Sequence, residues 1–178
     1  PEESPVGESA SNGEVERAVQ SVQEQVGSMR SALEERIGER LDGRGNILVW
    51  MIKYAALVLK IKHRGKDGRT AWERRHGRTF CRKLVEFGQK VRYLRPSGIK
   101  ERGRDTWEGR WEDGVLLGLR GKSLEWYVGA PEGVIKVRDI KGIEIEKERW
   151  IPEEVKGLKG LPWEPVLGKG REEAKAMI

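Results

Sequence analysis

The sequence predicts an α+β fold, with helices in the first half of the chain and short strands in the second. Residues 15–37 carry apolar side chains at gaps of three and four, which is the spacing of one helix face. Residues 47–61 are apolar almost throughout, and beyond Leu84 short alternating segments are separated by Gly, Ser and Pro. Apolar residues make up 37% of the 178, which is enough for a modest core.

The first predicted helix begins at Asn12-Gly13 and runs for about seven turns. Residues 1–12 are rich in Pro, Ser and Glu and are expected to form a loop before it. Gly38 and the Gly-containing segment 42–45 should end the helix.

Two further helices are predicted before the strands, so that residues 13–82 form the helical part. Residues 47–61 should be well buried against the first helix, because apolar residues occupy nearly every side. Thr70 can cap a short third helix, since Glu73 follows three residues later as in a capping box. Gly77 should end that helix.

Residues 84–150 predict a small β-barrel built from short, regularly spaced strands. In the first of these, Val91 and Tyr93 should share a face. Residues 97–110 read as a charged, Gly-rich loop, and residues 151–178 as an extended tail. The segments expected as strands are FGQKVRYL, WEDGVLLGLRG, LEWYVGA and GVIKVRDIKGIEI.

Positive charge is concentrated in one block of the sequence. The net charge is +6, from 35 Lys and Arg against 29 Asp and Glu, and the pI is near 9.5. Residues 60–110 hold 17 basic and six acidic side chains, whereas residues 1–41 hold four basic and nine acidic. The basic block is either a polyanion-binding face or an ordinary solvated surface.

Composition excludes several classes of protein. No apolar run approaches the length of a membrane span, because Lys53 and Lys60 interrupt the best one. The single Cys81 excludes an internal disulfide and a multi-cysteine zinc site. The chain starts with Pro1 and has no signal peptide, so we expect a piece of a longer intracellular product, nuclear or cytoplasmic.

The segment SASNGEVERAVQSV resembles the last part of a retroelement integrase catalytic core. Copia-type retrotransposons carry a similar Asn-Gly-x-x-Glu-Arg block at the start of a long helix. In this sequence the block is formed by Asn12, Gly13, Glu16 and Arg17. The matching Glu of that family is the third carboxylate of the DDE triad, which implies that Glu16 is a catalytic, metal-ligating residue.

The resemblance continues in order along residues 9–150. LVWMIKYAALVLK and TAWERRHGRTF occupy the places of the two helical segments that follow in copia-type cores, with Ala71 and Trp72 where Pro and Tyr are usual. LVEFGQKVRY looks like the entry to the family's C-terminal region. The resemblance therefore implies terminal helices of an RNase H-like core, followed by an SH3-like barrel that binds DNA.

The chemistry of strand transfer accounts for a Glu at this place. Two divalent metals can activate the attacking oxygen and stabilise the leaving one, and Mg²⁺ prefers carboxylate oxygens. Mg²⁺ is therefore the cofactor implied by the resemblance. The alternative is that Glu16 simply complements the positive end of the helix dipole.

The chain by itself is not expected to be catalytic. The first two triad carboxylates must precede this Glu, yet only 15 residues precede Glu16 and none is Asp. His63 and His76 have no paired Cys, so the family's zinc-binding segment is absent as well.

DNA is the expected partner, together with the rest of the integrase or a second copy of the chain through exposed apolar helix faces. Gln20 and Gln23 follow the Glu by one and two turns, although both can equally be solvated helix residues. Trp107 and Trp111 can stack on bases or pack in the core. The DNA-contact candidates are Arg17, Gln20, Gln23, Arg74, Arg75, Arg78, Arg82, Lys83, Arg92, Arg95, Lys100, Arg102, Arg104, Trp107 and Arg110.

Two functions remain open at this point. One is a truncated retrotransposon integrase that binds DNA, and the other is a non-enzymatic module, retained from a decayed element, that binds nucleic acid or protein.

Overall fold

The computed structural model describes residues 9–94 and 111–166, with the backbone alone for residues 9–12. Helices come first: α1 at Ser9–Ile37, α2 at Asn46–Lys62 and α3 at Ala71–His76. Five strands follow, and then a 3₁₀ turn at Glu146–Glu148 and a short helix, α4, at Pro152–Lys156. The strands are β1 at Lys90–Leu94, β2 at Trp111–Leu119, β3 at Trp126–Ala130, β4 at Gly133–Val137 and β5 at Ile140–Gly142. The α+β prediction is confirmed.

The helical part matches the sequence prediction closely, except at its start. The helix expected at residues 47–61 is α2, and α3 has the predicted capping box from Thr70 and Glu73. Gly77 ends α3 in the left-handed conformation, with φ 67°. The first helix, however, begins at Ser9, within the stretch expected as a loop. No Pro lies between Ser9 and Gly38, so the backbone hydrogen bonds of the helix can continue upstream of Gly13 as far as Ser9.

The strands form one antiparallel sheet in the order β4-β3-β2-β1-β5. The predicted barrel was wrong in one respect, because among the described residues the sheet is open and not closed. The segment expected as one last strand is split at residues 138–139 into β4 and the three-residue β5, which returns to pair with β1. The outer edge of β4 is bonded instead by the following chain, where Val134 N–H donates to Pro165 O at 2.8 Å.

Helices and sheet share one core. A single cluster of buried side chains includes residues of α1, α2, β2, β4 and α4. Trp50 of α2 is fully buried, lies 5.1 Å from the ring of Tyr127 on β3, and donates its indole N–H to Gly160 O at 3.1 Å. Tyr54, one turn later, stacks on Phe87 and donates its hydroxyl to Val85 O at 2.7 Å. The helix α2 therefore packs directly on the sheet.

The described part of the segment expected as an extended tail packs on this core. The helix α4 begins at Pro152. Proline suits the first helical position, because a backbone N–H there would have no hydrogen-bond acceptor within the helix. Val155 of α4 and the following Leu158 are buried in the shared core. The remaining exposed apolar side chains include Val15 and Val19, in the first turns of α1.

Candidate nucleic-acid interface

Glu16 does not lie in a metal site within the described residues. It is exposed on α1, and since the helix begins at Ser9, it is also outside the first turn where the helix dipole acts. Across residues 9–94 and 111–166, no group of three or more His, Cys, Asp and Glu side chains is placed to hold a metal ion.

The polar residues that follow Glu16 are exposed and bonded along their own helix. Arg17 Nε donates to Gly13 O at 3.0 Å, and Gln20 Nε2 donates to Glu24 Oε1 at 3.1 Å. Gln23 is exposed as well.

A wide hollow of about 930 Å³ brings part of this helix together with the ends of α2 and α3. Arg17 and Gln20 line it from α1, and Arg74 lines it from α3. Glu14 and Glu24 also line it, so its charge is mixed. A polyanion would meet repulsion as well as attraction there.

Two of the predicted DNA contacts, Arg74 and Arg82, have partners within the chain. Arg74 makes two hydrogen bonds to the carboxylate of Asp67, at 2.9 and 2.6 Å, and these bonds lower the pKa of Asp67. Arg82 donates to the backbone carbonyls of Leu124 and Arg138, and its guanidinium lies 4.8 Å from the centre of the Trp126 ring. Both cations are held by partners within the chain.

The other described candidates are accessible. Arg75, Arg78 and Lys83 are exposed, while Arg92 is exposed but lies 3.4 Å from the carboxylate of Asp113. Trp111 is half-buried, and the amine of Lys141 lies 4.1 Å from its ring centre. The candidates that lie outside the described residues are Arg95, Lys100, Arg102, Arg104, Trp107 and Arg110.

A smaller hollow of about 360 Å³ has a uniformly positive lining, and we call it the basic hollow. It lies between α2, α3 and the turn that joins β2 to β3. Its lining residues are Lys53, Lys60, Arg75, His76, Leu119, Arg120, Gly121, Lys122 and Tyr127. Five of these are cations, and no Asp or Glu is among the described residues that line it.

Lys53 links the helical side of the basic hollow to the sheet. Its amine lies 4.9 Å from the ring centre of Trp50 and 4.1 Å from that of Tyr127. Partial desolvation lowers the pKa of Lys53, and the nearby charges of Arg120 and Lys136 lower it further. Burial of the Lys53 amine is the larger cause of this fall in pKa, and the positive charge around it is the smaller one.

Two more cations of the basic hollow lie on α2 and α3. Trp72 is buried, and its ring stacks on His76 with centroids 3.8 Å apart. The amine of Lys60 lies 5.6 Å from the Trp72 ring centre. Arg75 lies in the last turn of α3, whose start is fixed by the Thr70 capping box.

The turn between β2 and β3 supplies the opposite side. Arg120 N–H donates to Glu125 O at 2.7 Å, which closes the turn that carries Arg120 and Lys122. Glu125 is the acid beside these cations: it accepts from Ser123 and lies 3.5 Å from Arg120. These contacts and the charge of Lys136 lower the pKa of Glu125, so its carboxylate stays ionised and provides one negative charge beside these cations.

Of the cations of the basic hollow, only Arg75 was predicted from the sequence to contact DNA. Lys53 and Lys60 interrupt an apolar segment, and they were interpreted only as evidence against a membrane span. Their spacing of seven residues places both on one face of α2, and this is the signal that could have identified them. Arg120 and Lys122 lie outside the 60–110 block in sequence, and only the fold brings them to it.

Comparison of the chain with protein-family models, with curated proteins and with solved structures finds no match. Within the described part of the chain, no helix combines the length and the apolar character needed to cross a membrane.

Proposed function

We propose that this chain is part of a retroelement integrase and that it binds DNA through the basic hollow. The ordered series of sequence blocks from Asn12 to the last strands supports the family. The observation that carries the binding function is the convergence of five cations on one hollow. Phosphate backbones are the polyanions that such a surface attracts most strongly.

The finer fold assignment belongs to the same proposal. In it, α1, α2 and α3 are terminal helices of an RNase H-like core, and the sheet is an SH3-like domain. Four strands lie side by side in sequence order, and the fifth returns to pair with the first. This strand order is compatible with such a domain in a partly open form. Glu16 then descends from a metal-ligating carboxylate, and any Mg²⁺ would need oxygens beyond the described residues.

A non-enzymatic binding module retained from a decayed element is the second candidate. The exposed position of Glu16 favours it, because Glu16 belongs to no group of three or more metal-ligating side chains among the described residues. On either proposal the 178-residue polypeptide should show no Mg²⁺-dependent cleavage or strand transfer by itself. A single defined turnover with purified protein would contradict this.

The binding function is tested by removing charge from the basic hollow. The variant Arg75→Gln/Arg120→Gln/Lys122→Gln should weaken binding of a labelled DNA by at least about tenfold at low salt, because each lost phosphate contact reduces affinity. For the unaltered protein, the logarithm of affinity should fall linearly with the logarithm of salt concentration, by about 0.9 per duplex phosphate neutralised.

The matched control removes the same charge elsewhere. Arg44, Lys147 and Lys159 are exposed and do not line the basic hollow. The variant Arg44→Gln/Lys147→Gln/Lys159→Gln should therefore bind DNA nearly as tightly as the unaltered chain. Equal losses of DNA affinity in both triple variants would mean that net charge alone causes the loss. If the unaltered protein does not bind DNA at low salt, the proposed function is wrong.

A further inference from the structure

We infer that the basic hollow takes a single DNA strand in preference to a duplex, and that it holds the strand by its phosphates and not by its bases. This rests on the proposed DNA-binding function and specifies its ligand. Three features of the hollow support it: the placement of its cations, its size and the state of its aromatic rings.

The cations line the hollow from two parts of the fold. Lys60 and Arg75 belong to the helices, whereas Arg120 and Lys122 belong to the turn between β2 and β3. Lys53 joins the two sides through its contact with Tyr127. A single nucleic-acid backbone that runs between the helices and the turn can approach the cations of both parts. A wide ligand can reach only the outer ends of these cationic side chains.

The volume favours a narrow ligand. About 360 Å³ lies near the lower end of the roughly 300–1,000 Å³ typical of small-molecule sites. A duplex whose major groove alone is about 12 Å wide cannot enter a space of that size. One strand can lower its phosphates into the hollow one at a time, with the rest of the strand in solvent.

The aromatic rings around the hollow are already engaged. Lys53 lies against both Trp50 and Tyr127, and these two rings also contact each other. Trp72 has Lys60 near its ring and His76 stacked on it. Single-strand binding proteins usually stack bases on free aromatic faces. Here the rings hold cations instead, so recognition should depend on phosphate and not on base identity.

The test compares strands and sides of the hollow by fluorescence anisotropy. A labelled 20-nucleotide oligo-dT should bind at least about fivefold tighter than a 20-base-pair duplex at the same salt concentration, since only the single strand reaches both sets of cations. Oligo-dA should bind within about twofold of oligo-dT, because stacking on the rings is not used.

Paired variants separate the two sides. Lys60→Ala/Arg75→Ala and Arg120→Ala/Lys122→Ala should each weaken oligo-dT binding by about tenfold, and each should weaken duplex binding less. Arg44→Ala/Lys159→Ala is the matched control and should leave both affinities nearly unchanged. Circular dichroism and urea unfolding of each variant establish that it is folded.

The outcomes separate the inference from the function beneath it. If the duplex binds as tightly as oligo-dT while the hollow variants weaken both, the single-strand inference fails and DNA binding stands. If oligo-dA binds far tighter than oligo-dT, phosphate-only recognition fails. If neither DNA binds, or if the hollow variants bind like the control, the proposed function itself fails.

Discussion

The first turns of α1 and the junction of α2 with the sheet differ in how the chain uses them. In the first turns, Glu16 is exposed, and Val15 and Val19 are 63% and 51% exposed. At the junction, Trp50 is fully buried and Tyr54 is 5% exposed. The sequence block that resembles an integrase lies in the first turns of α1. The cations of the basic hollow lie beside the junction of α2 with the sheet.

The contrast shows that a recognisable motif and a built site need not coincide. A carboxylate on a solvated helix needs partners from elsewhere before it can hold a metal. In the basic hollow, aromatic contacts hold Lys53 and Lys60, and a closed turn carries Arg120 and Lys122. Stability and DNA binding are therefore both expected to depend on the junction of α2 with the sheet.

The largest expected effect is the loss of Trp50. Trp50→Ala removes a fully buried ring, its contact with Tyr127 and its hydrogen bond to Gly160 O. The free energy of unfolding should fall by about 3–5 kcal/mol, measured by urea denaturation. Trp163 is 61% exposed, and Trp163→Ala should change it by less than about 0.5 kcal/mol. Similar losses in the two variants would contradict the placement of the core at the junction.

A pH titration examines the same junction. Burial raises the pKa of Tyr54 to about 12, from an ordinary value of 10.0. Between these values the folded chain holds a proton that the unfolded chain has lost, so the free energy of unfolding falls as the pH rises from 10 to 12. The fall from Tyr54 between pH 10 and 12 should be about 2 kcal/mol.

The variant Tyr54→Phe isolates that effect. It cannot ionise, so its unfolding free energy should fall less between pH 10 and 12 than that of the unaltered chain. At pH 8 it should lose about 1 kcal/mol, because the hydrogen bond to Val85 O is missing. Parallel pH profiles for the two proteins would mean that the Tyr54 hydroxyl is not buried.

A smaller effect is expected at the start of α3. Thr70→Ala removes the side chain that accepts from Glu73 N–H at 3.1 Å, and this should cost about 1 kcal/mol of stability. Because α3 carries Arg75 and His76 to the basic hollow, DNA affinity should also fall modestly. Thr79→Ala deletes an exposed hydroxyl that contacts Glu73 but leaves the cap in place, so a smaller loss in both quantities is expected. Equal losses would contradict a specific role for the cap.

Local sequence patterns predicted the helices well, because periodicity and capping act over a few residues. The bounds of α2 and the capping box at Thr70 follow from such patterns. The open sheet could not be predicted, since it depends on Pro165 bonding the edge of β4, a contact across more than thirty residues. The basic hollow depends on contacts of the same kind, because Lys53 and Arg120 meet only when α2 packs on the sheet. Arg74 was expected to face DNA, and its nearby partner Asp67 was overlooked.

The smallest effects are expected when one of two acidic residues, Glu125 or Glu16, is made neutral. Glu125 offsets the charge of Arg120 and Lys136 beside the basic hollow, so Glu125→Gln should tighten DNA binding by about two- to threefold. Glu16 lies on a solvated helix and does not line the hollow, so Glu16→Gln should leave DNA affinity and the free energy of unfolding unchanged within error. Both variants remove one negative charge, and net charge alone would therefore shift them equally. A larger gain of DNA affinity from Glu16→Gln than from Glu125→Gln would indicate that DNA binds at the first turns of α1, where the family resemblance begins.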